Sequence, residues 1–117
     1  MICEPGRLVL IPFPYADLES SKRRPVLVLT APDRHGDFIA LAVTSVEQKE
    51  AAMQLDGEML SEGRLPKTSW IRLDKIFTLS SSMIVKHLAR VTPKAMAQIL
   101  ERVCATIGFY PVEPTGT

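Results

Sequence analysis

The chain has 117 residues, a mass of 13.0 kDa and a formal net charge of +1. That length suits one domain with a single hydrophobic core, and the ordinary fractions of hydrophobic (46%) and charged (23%) residues argue against a disordered or membrane-embedded chain. The small net charge excludes polyanion binding through bulk charge, so any such binding must use a local basic cluster.

The first half of the sequence predicts three strands at hairpin spacing. Residues 7–12 hold a short apolar run next to a glycine and a proline, which is typical of a strand buried on both faces. A loop rich in turn-forming residues follows, and residues 25–30 form a second strand that begins with proline. A turn at residues 33–37 leads into a third strand at residues 38–45. This spacing favours an antiparallel sheet or barrel.

The next predicted strand, residues 68–73, has two different faces. Its alternation places Trp70 and Arg72 on one face and Ile71 and Leu73 on the other. One face of this strand is therefore expected to be polar or functional, with the tryptophan partly buried.

The C-terminal part predicts a strand followed by a helix. The serines that start residues 80–85 can cap a short helix, and residues 87–91 can return as a strand. Thr92 is a good helix cap because proline follows it, and apolar residues at helical spacing continue until Gly108. We expect one amphipathic helix packed on a β-core.

The sequence predicts one domain, residues 1–110, with a frayed tail at residues 111–117. No apolar run approaches the roughly 20 residues that span a bilayer, and no signal-peptide pattern is present, so we expect a cytoplasmic protein. Cys3 and Cys104 have no zinc-site spacing, which predicts no metal site. In a chain without a secretory signal, two buried or half-buried thiols are favoured over the alternative, a disulfide.

Charge is distributed unevenly along the chain. Residues 1–60 carry six basic and nine acidic side chains, whereas residues 61–117 carry eight and four. Residues 22–24 form a basic triplet, which is more often a solvated turn than a phosphate site when nothing else supports it.

Several blocks of the sequence share the order and spacing of one protein family. They are PGRLVLIPFPYADLESSKRRPVLVLT (residues 5–30), LAVTS (residues 41–45) and WIRLDKIFTL (residues 70–79). Residues 83–103 match the short helix, strand and helix that close the same family's domain, and the match is weakest over residues 46–67. Together these blocks resemble the MazF/PemK (Kid) family of type II toxin-antitoxin endoribonuclease toxins.

The resemblance implies a mainly β (α+β) fold, an SH3-like antiparallel β-barrel with a C-terminal amphipathic helix. It also implies a homodimer whose protomers frame a groove for single-stranded mRNA, a cognate antitoxin that fills this groove, and sequence-selective cleavage without metal or other cofactor. The CcdB-type gyrase poisons share this fold, so the fold alone does not settle the activity.

Metal-free RNA cleavage uses the 2′-hydroxyl of the substrate as nucleophile and leaves a 2′,3′-cyclic phosphate and a 5′-hydroxyl. It requires a proton acceptor, cationic donors for the phosphorane and a proton for the leaving oxygen. By the resemblance, Arg24 is the catalytic arginine, and its planar guanidinium suits a charged phosphorane. Without the resemblance, Arg24 is an ordinary charged residue before a strand.

The resemblance assigns the other catalytic residues to two strand ends. Thr44 and Ser45 match a hydroxyl pair that contacts the scissile phosphate. Arg72 and Asp74 are two residues apart, which places both on one face of a strand. In the PemK/Kid branch the aspartate resembles a general base and the arginine a general acid, but we expect Arg72 to stabilise charge because arginine gives up its proton with difficulty. The alternative interpretation is a weak surface ion pair.

We expect Lys22, Arg23 and Tyr15 to bind RNA, the tyrosine by stacking on a base. Two departures from the family pattern stand out. The loop between the first two strands contains no histidine, and Arg7 stands where relatives usually carry an acidic residue.

Two alternative functions remain open from the sequence. The first alternative is a catalytically silent relative, which binds RNA or an antitoxin without cleavage. The second is a CcdB-like gyrase poison. The candidate catalytic residues argue against the first alternative. The second would depend on particular C-terminal residues, and the tail lacks the tryptophan expected of such a poison.

Overall fold

A computed structural model describes residues 3–12 and 22–110. Within these residues seven strands form one sheet, all neighbours pair antiparallel, and the sheet curls into a half-barrel with one α-helix at its C-terminal end. The elements are β1 (Arg7–Pro12), β2 (Arg23–Val28), β3 (Asp37–Thr44), β4 (Ala52–Leu55), β5 (Leu60–Gly63), β6 (Ser69–Ser80), β7 (Lys86–Val91) and α1 (Pro93–Ile107). The sheet order is β4-β6-β3-β2-β1-β7-β5.

The central strands are buried on both faces. Leu8, Leu27 and Leu41 pair across β1, β2 and β3 and therefore point to one face, where they join a first apolar core. Val9 and Val26 pair with one another on the opposite face and belong to a second core. The predicted burial of β1 on both faces is confirmed.

Strand β6 contains an irregularity that exchanges its two faces. Two steps along β3, from Leu41 to Val43, correspond to five steps along β6, from Ile76 to Ile71. This offset of three residues is odd, so Ile71 belongs to the first core whereas Leu79 belongs to the second.

The C-terminal helix begins and ends where the sequence predicts. The Thr92 Oγ1 accepts a hydrogen bond from the Ala95 N–H at 3.0 Å, with proline in the first turn. Gly108 ends the helix in the left-handed conformation, with φ at 108°. Ile99 and Val103 are buried against the first core, which confirms the amphipathic helix.

Some element bounds differ from the prediction. Strand β2 begins before the proline because Arg23 and Arg24 pair with the end of β1. Strand β6 continues to Ser80, beyond the predicted end at residue 73. The short helix predicted at residues 80–85 is a 3₁₀ turn that ends at Met83. The four-residue strands β4 and β5 were not predicted, because each is an edge strand too short to show a clear apolar period.

Both cysteines are free thiols, as predicted. Cys3 is buried and Cys104 is half-buried. Burial raises the pKa of the Cys3 thiol above its usual value. Among residues 3–12 and 22–110, no helix is long and apolar enough to span a bilayer.

Arg7, one of the departures from the family pattern, has a structural role. Its guanidinium forms ion pairs with Glu4 at 3.1 Å and with Glu62 at 3.0 Å. These contacts tie the start of β1 to β5 across the intervening strand β7.

Gly63 is the position where the fold most clearly requires glycine. Its φ is +68°, and a Cβ there would overlap the Leu88 carbonyl oxygen and lie 2.9 Å from the Ala89 Cα. We expect Gly63→Ala to lower the free energy of unfolding by about 2–4 kcal/mol, through backbone strain and overpacking together. Urea unfolding of the purified protein measures this change.

Gly57→Ala is the matched control, because a Cβ at Gly57 meets no atom within 4 Å. Its expected effect is below about 0.5 kcal/mol. Equal unfolding midpoints for the two variants would show that β5 does not pack against β7 as described.

Candidate active site

A cleft of about 510 Å³ opens where β2 begins and β3 ends. Because it lies at strand ends, residues from both faces of the sheet line it. Its lining includes the basic residues Lys22, Arg23, Arg24 and Lys67, and no acidic residue among those described. The cleft is therefore locally basic although the chain is nearly neutral, which suits a polyanionic ligand.

The antiparallel pairing of β2 and β3 brings Arg24 and Thr44 together. The paired register ends at Val26 and Ala42, and two further residues along each strand lead to Arg24 and Thr44, which both line the cleft. Ser45 follows directly and also lines the cleft. Three of the catalytic residues expected from the sequence thus converge on one site.

Arg24 holds an unused donor inside the protein. Its side chain is half-buried beside Ile11, its partner in β1, and the Nε is buried without a hydrogen-bond partner among the described residues. A buried N–H without a partner costs free energy. A bound anion would remove this cost, because the guanidinium can offer paired N–H groups to phosphoryl oxygens.

The Thr44 hydroxyl is oriented by a local turn. Its Oγ1 accepts a hydrogen bond from the Val46 N–H at 3.1 Å. This bond fixes the position of the oxygen, and the hydroxyl proton stays available for donation to a ligand.

Arg72 and Asp74 lie beside the cleft and do not line it. Arg72 is two residues from Trp70, which pairs with Thr44, so Arg72 lies on the same face of the sheet as Thr44. The Arg72 Nε is 3.7 Å from the Asp74 Oδ1, too long for a hydrogen bond, and it has no other hydrogen-bond partner in the described chain. The two side chains form a loose ion pair at the β6 irregularity.

The remaining sequence candidates fall into three groups. Lys22 and Arg23 are exposed at the cleft. Trp70 is half-buried on β6, as predicted, and does not line the cleft. Tyr15 lies outside the described residues, so its predicted contact with RNA stays a prediction.

Neither histidine lines the cleft. His35 is exposed in the turn before β3, where its Nε2 accepts a hydrogen bond from the Arg34 Nε at 3.2 Å. His87 is half-buried on β7, and both ring nitrogens lack partners among the described residues. Burial first, and then the nearby Arg7 charge, lower the His87 pKa below its ordinary value. This histidine therefore favours the neutral form in the folded protein.

Sequence reasoning missed one side of the cleft. Leu65, Pro66 and Lys67 form it. The buried Ser69 Oγ donates a hydrogen bond to the Lys67 carbonyl oxygen at 2.9 Å, which holds this segment in place. The sequence does show an excess of basic residues in the second half of the chain, but this excess does not indicate that residues 65–67 line the cleft.

Comparisons with known proteins agree with the fold. The family model of the PemK-like, MazF-like toxin of type II toxin-antitoxin systems matches residues 4–107. A comparison with individually curated proteins finds no match.

Several solved structures are similar to the chain. A mycobacterial endoribonuclease in complex with its cognate antitoxin is 21% identical, with a TM-score of 0.70, covering 94% of this chain and 98% of that one. A MazE-MazF structure from Deinococcus radiodurans is 20% identical, with a TM-score of 0.73 and coverage of 93% and 99%. MazF from the same organism is 23% identical, with a TM-score of 0.69 and the same coverage.

These structures share the fold of the chain, and the family model spans nearly all of its described residues. The mainly β fold expected from the sequence, an antiparallel barrel-like sheet with a C-terminal helix, is confirmed, and the sheet curls into a half-barrel. The chain belongs to the PemK-like, MazF-like family of toxins of type II toxin-antitoxin systems.

Proposed function

We propose that the chain is a toxin endoribonuclease that cleaves single-stranded RNA by attack of the substrate 2′-hydroxyl, without a metal ion. The observation that carries this proposal is the basic cleft, which is lined both by Arg24, whose Nε has no hydrogen-bond partner among the described residues, and by Thr44. Similar structures from mycobacteria and Deinococcus radiodurans are an endoribonuclease and MazF proteins, which supports the same assignment.

The cleft supplies stabilisation of negative charge. As the 2′-oxygen bonds to phosphorus, the equatorial oxygens gain charge, and Arg24 donates to them from a partly desolvated position. The hydroxyl groups of Thr44 and Ser45 donate hydrogen bonds to the same phosphate. Lys22 and Arg23 hold the flanking phosphates at the exposed rim.

We assign the proton transfer to the pair on β6. The Asp74 carboxylate accepts the 2′-hydroxyl proton, because a carboxylate is a much stronger proton acceptor than the neutral hydroxyl of Thr44. Arg72 orients Asp74 and stabilises the phosphorane charge. The bond from phosphorus to the 5′-oxygen then breaks, and that oxygen takes a proton from water. The RNA strand must therefore extend from the cleft across Thr44 to β6.

The proposal includes the partners expected of such a toxin. We propose that the protein acts in the cytoplasm as a homodimer, whose second protomer supplies the other wall of the RNA groove. We also propose a cognate antitoxin, because the family is defined by toxin-antitoxin pairing and the similar mycobacterial structure is a complex with its antitoxin.

The direct test is cleavage of a long RNA by the purified protein in excess chelator. We expect cuts that carry 5′-hydroxyl ends, and no cut where the nucleotide before the scissile bond is 2′-deoxy, because the nucleophile is then missing. End-specific labelling and sequencing identify the products. Cleavage that starts only after a divalent metal is added contradicts the mechanism, whereas binding without cleavage favours the silent-relative alternative.

Arg24 is expected to contribute through its geometry as well as its charge. Arg24→Ala should lower the cleavage rate by about a hundredfold to a thousandfold, which corresponds to about 2.7–4 kcal/mol. Arg24→Lys should fail to restore the rate, because an ammonium cannot offer the paired donors of a guanidinium. Single-turnover rates measure both effects.

Arg23→Ala is the neighbouring comparison and Arg34→Ala the distant control. Arg23 is exposed, so its loss should weaken RNA binding with little change in the rate of the bound complex. Arg34 lies outside the cleft, and its loss should change neither. Equal single-turnover rates for Arg23→Ala and Arg24→Ala, with both variants folded, rule out this assignment.

A further inference from the structure

A second cleft adjoins the first and shares one wall with it. It has a volume of about 370 Å³ and lies between the end of β4 and residues 64–68, which we name the 64–68 wall. Leu65, Pro66 and Lys67 of this wall line both clefts. The two clefts are therefore neighbours that border the same segment of the chain.

The 64–68 wall is anchored at both ends. Gly63, which precedes it, packs directly against the backbone of β7 at Leu88. Leu65 packs on the first core, and the buried Ser69 holds the Lys67 carbonyl oxygen. The backbone that carries Arg64 and Lys67 is thus positioned in the free protein, which lowers the entropy lost when a ligand binds.

The charges in the second cleft are free to meet an anion. Arg64 and Lys67 are exposed and form no ion pair within the described part of the chain. One acidic residue among those described, Asp56, lines this cleft, and it accepts a hydrogen bond from the Glu58 N–H at 3.0 Å. The two cations outnumber this one carboxylate, so the lining keeps a positive excess.

Gln54 adds a neutral recognition group. It is exposed at the end of β4, lines the cleft, and its carboxamide has no hydrogen bond among the described residues. A carboxamide offers both donors and an acceptor, which is the combination that reads the edge of a nucleobase.

We propose that the second cleft binds a nucleotide of the RNA strand that flanks the cut and that it contributes to sequence selectivity. Arg64 and Lys67 hold the phosphates, and Gln54 hydrogen-bonds the base edge. The cleft volume lies within the roughly 300–1,000 Å³ of small-molecule sites. This inference rests on the proposed function, because the strand reaches the cleft by continuing from Arg24.

The first experiment measures binding alone. The probe is a short mixed-sequence single-stranded RNA with 2′-O-methyl groups throughout, which blocks the nucleophile. The dissociation constant is measured against salt concentration for the wild type, Arg64→Ala/Lys67→Ala, and the control Lys86→Ala/Lys94→Ala, which removes two exposed lysines that line neither cleft.

Loss of two phosphate contacts should make the slope of log K against log salt shallower by roughly 1.4, since each contact on a single strand contributes about 0.7. The control should keep the wild-type slope. Equal slopes for the two double variants overturn the inference, whether or not the wild type cleaves RNA. If the slope changes as expected in Arg64→Ala/Lys67→Ala but the wild type cleaves no RNA, the proposed function is overturned and the second cleft remains a binding site.

The second experiment compares the ends of a long RNA after cleavage by the Gln54→Ala variant and by a control variant, Gln98→Ala. Gln98 is an exposed glutamine on α1. We expect Gln54→Ala to broaden the nucleotide preference at one position beside the cut, with total cleavage lowered less than tenfold. Gln98→Ala should keep the wild-type preference. An unchanged preference in Gln54→Ala shows that this side chain reads no base.

Discussion

The antiparallel pairing of β2 with β3 is the contact on which the site depends. Val26, Leu27 and Val28 are fully buried where they pair with β3, so apolar packing on both faces of the sheet holds the register. Arg24 and Thr44 lie two residues beyond the last pair of this register and reach the same cleft because of it. A slip of one residue would send them to opposite faces and would also expose the core.

The same arrangement explains how an almost neutral chain can hold a polyanion. The strand ends gather basic side chains into one cleft, while the acidic residues of the first half lie elsewhere or outside the described residues. Burial of the Arg24 Nε without a partner among the described residues costs folding free energy, which the surrounding apolar cores offset. The protein thereby keeps a cation ready to meet charge that develops during the reaction.

The sequence predicted the elements whose signals are local. β1, β3 and α1 carry strong apolar runs or a capped helical period, and all three form as expected. The spacing of Arg72 and Asp74 correctly predicted their proximity. The 64–68 wall and the exchange of faces in β6 depend on tertiary packing and register, which no local pattern encodes. The individual roles of Thr44 and Arg24 rested on the family resemblance, because a hydroxyl or an arginine at a strand end has no distinctive pattern.

The central claim is that Arg24 and Thr44 act together on one phosphate, and a double-mutant cycle on the single-turnover cleavage rate tests it most directly. The variants are Arg24→Ala, Thr44→Val and the double variant, with valine chosen to keep the volume of threonine without its hydroxyl. The account predicts that each single change slows cleavage and that the double variant is scarcely slower than Arg24→Ala, since groups that act as a unit are strongly non-additive. Rate losses that simply multiply, or a Thr44→Val variant as fast as the wild type, would contradict it.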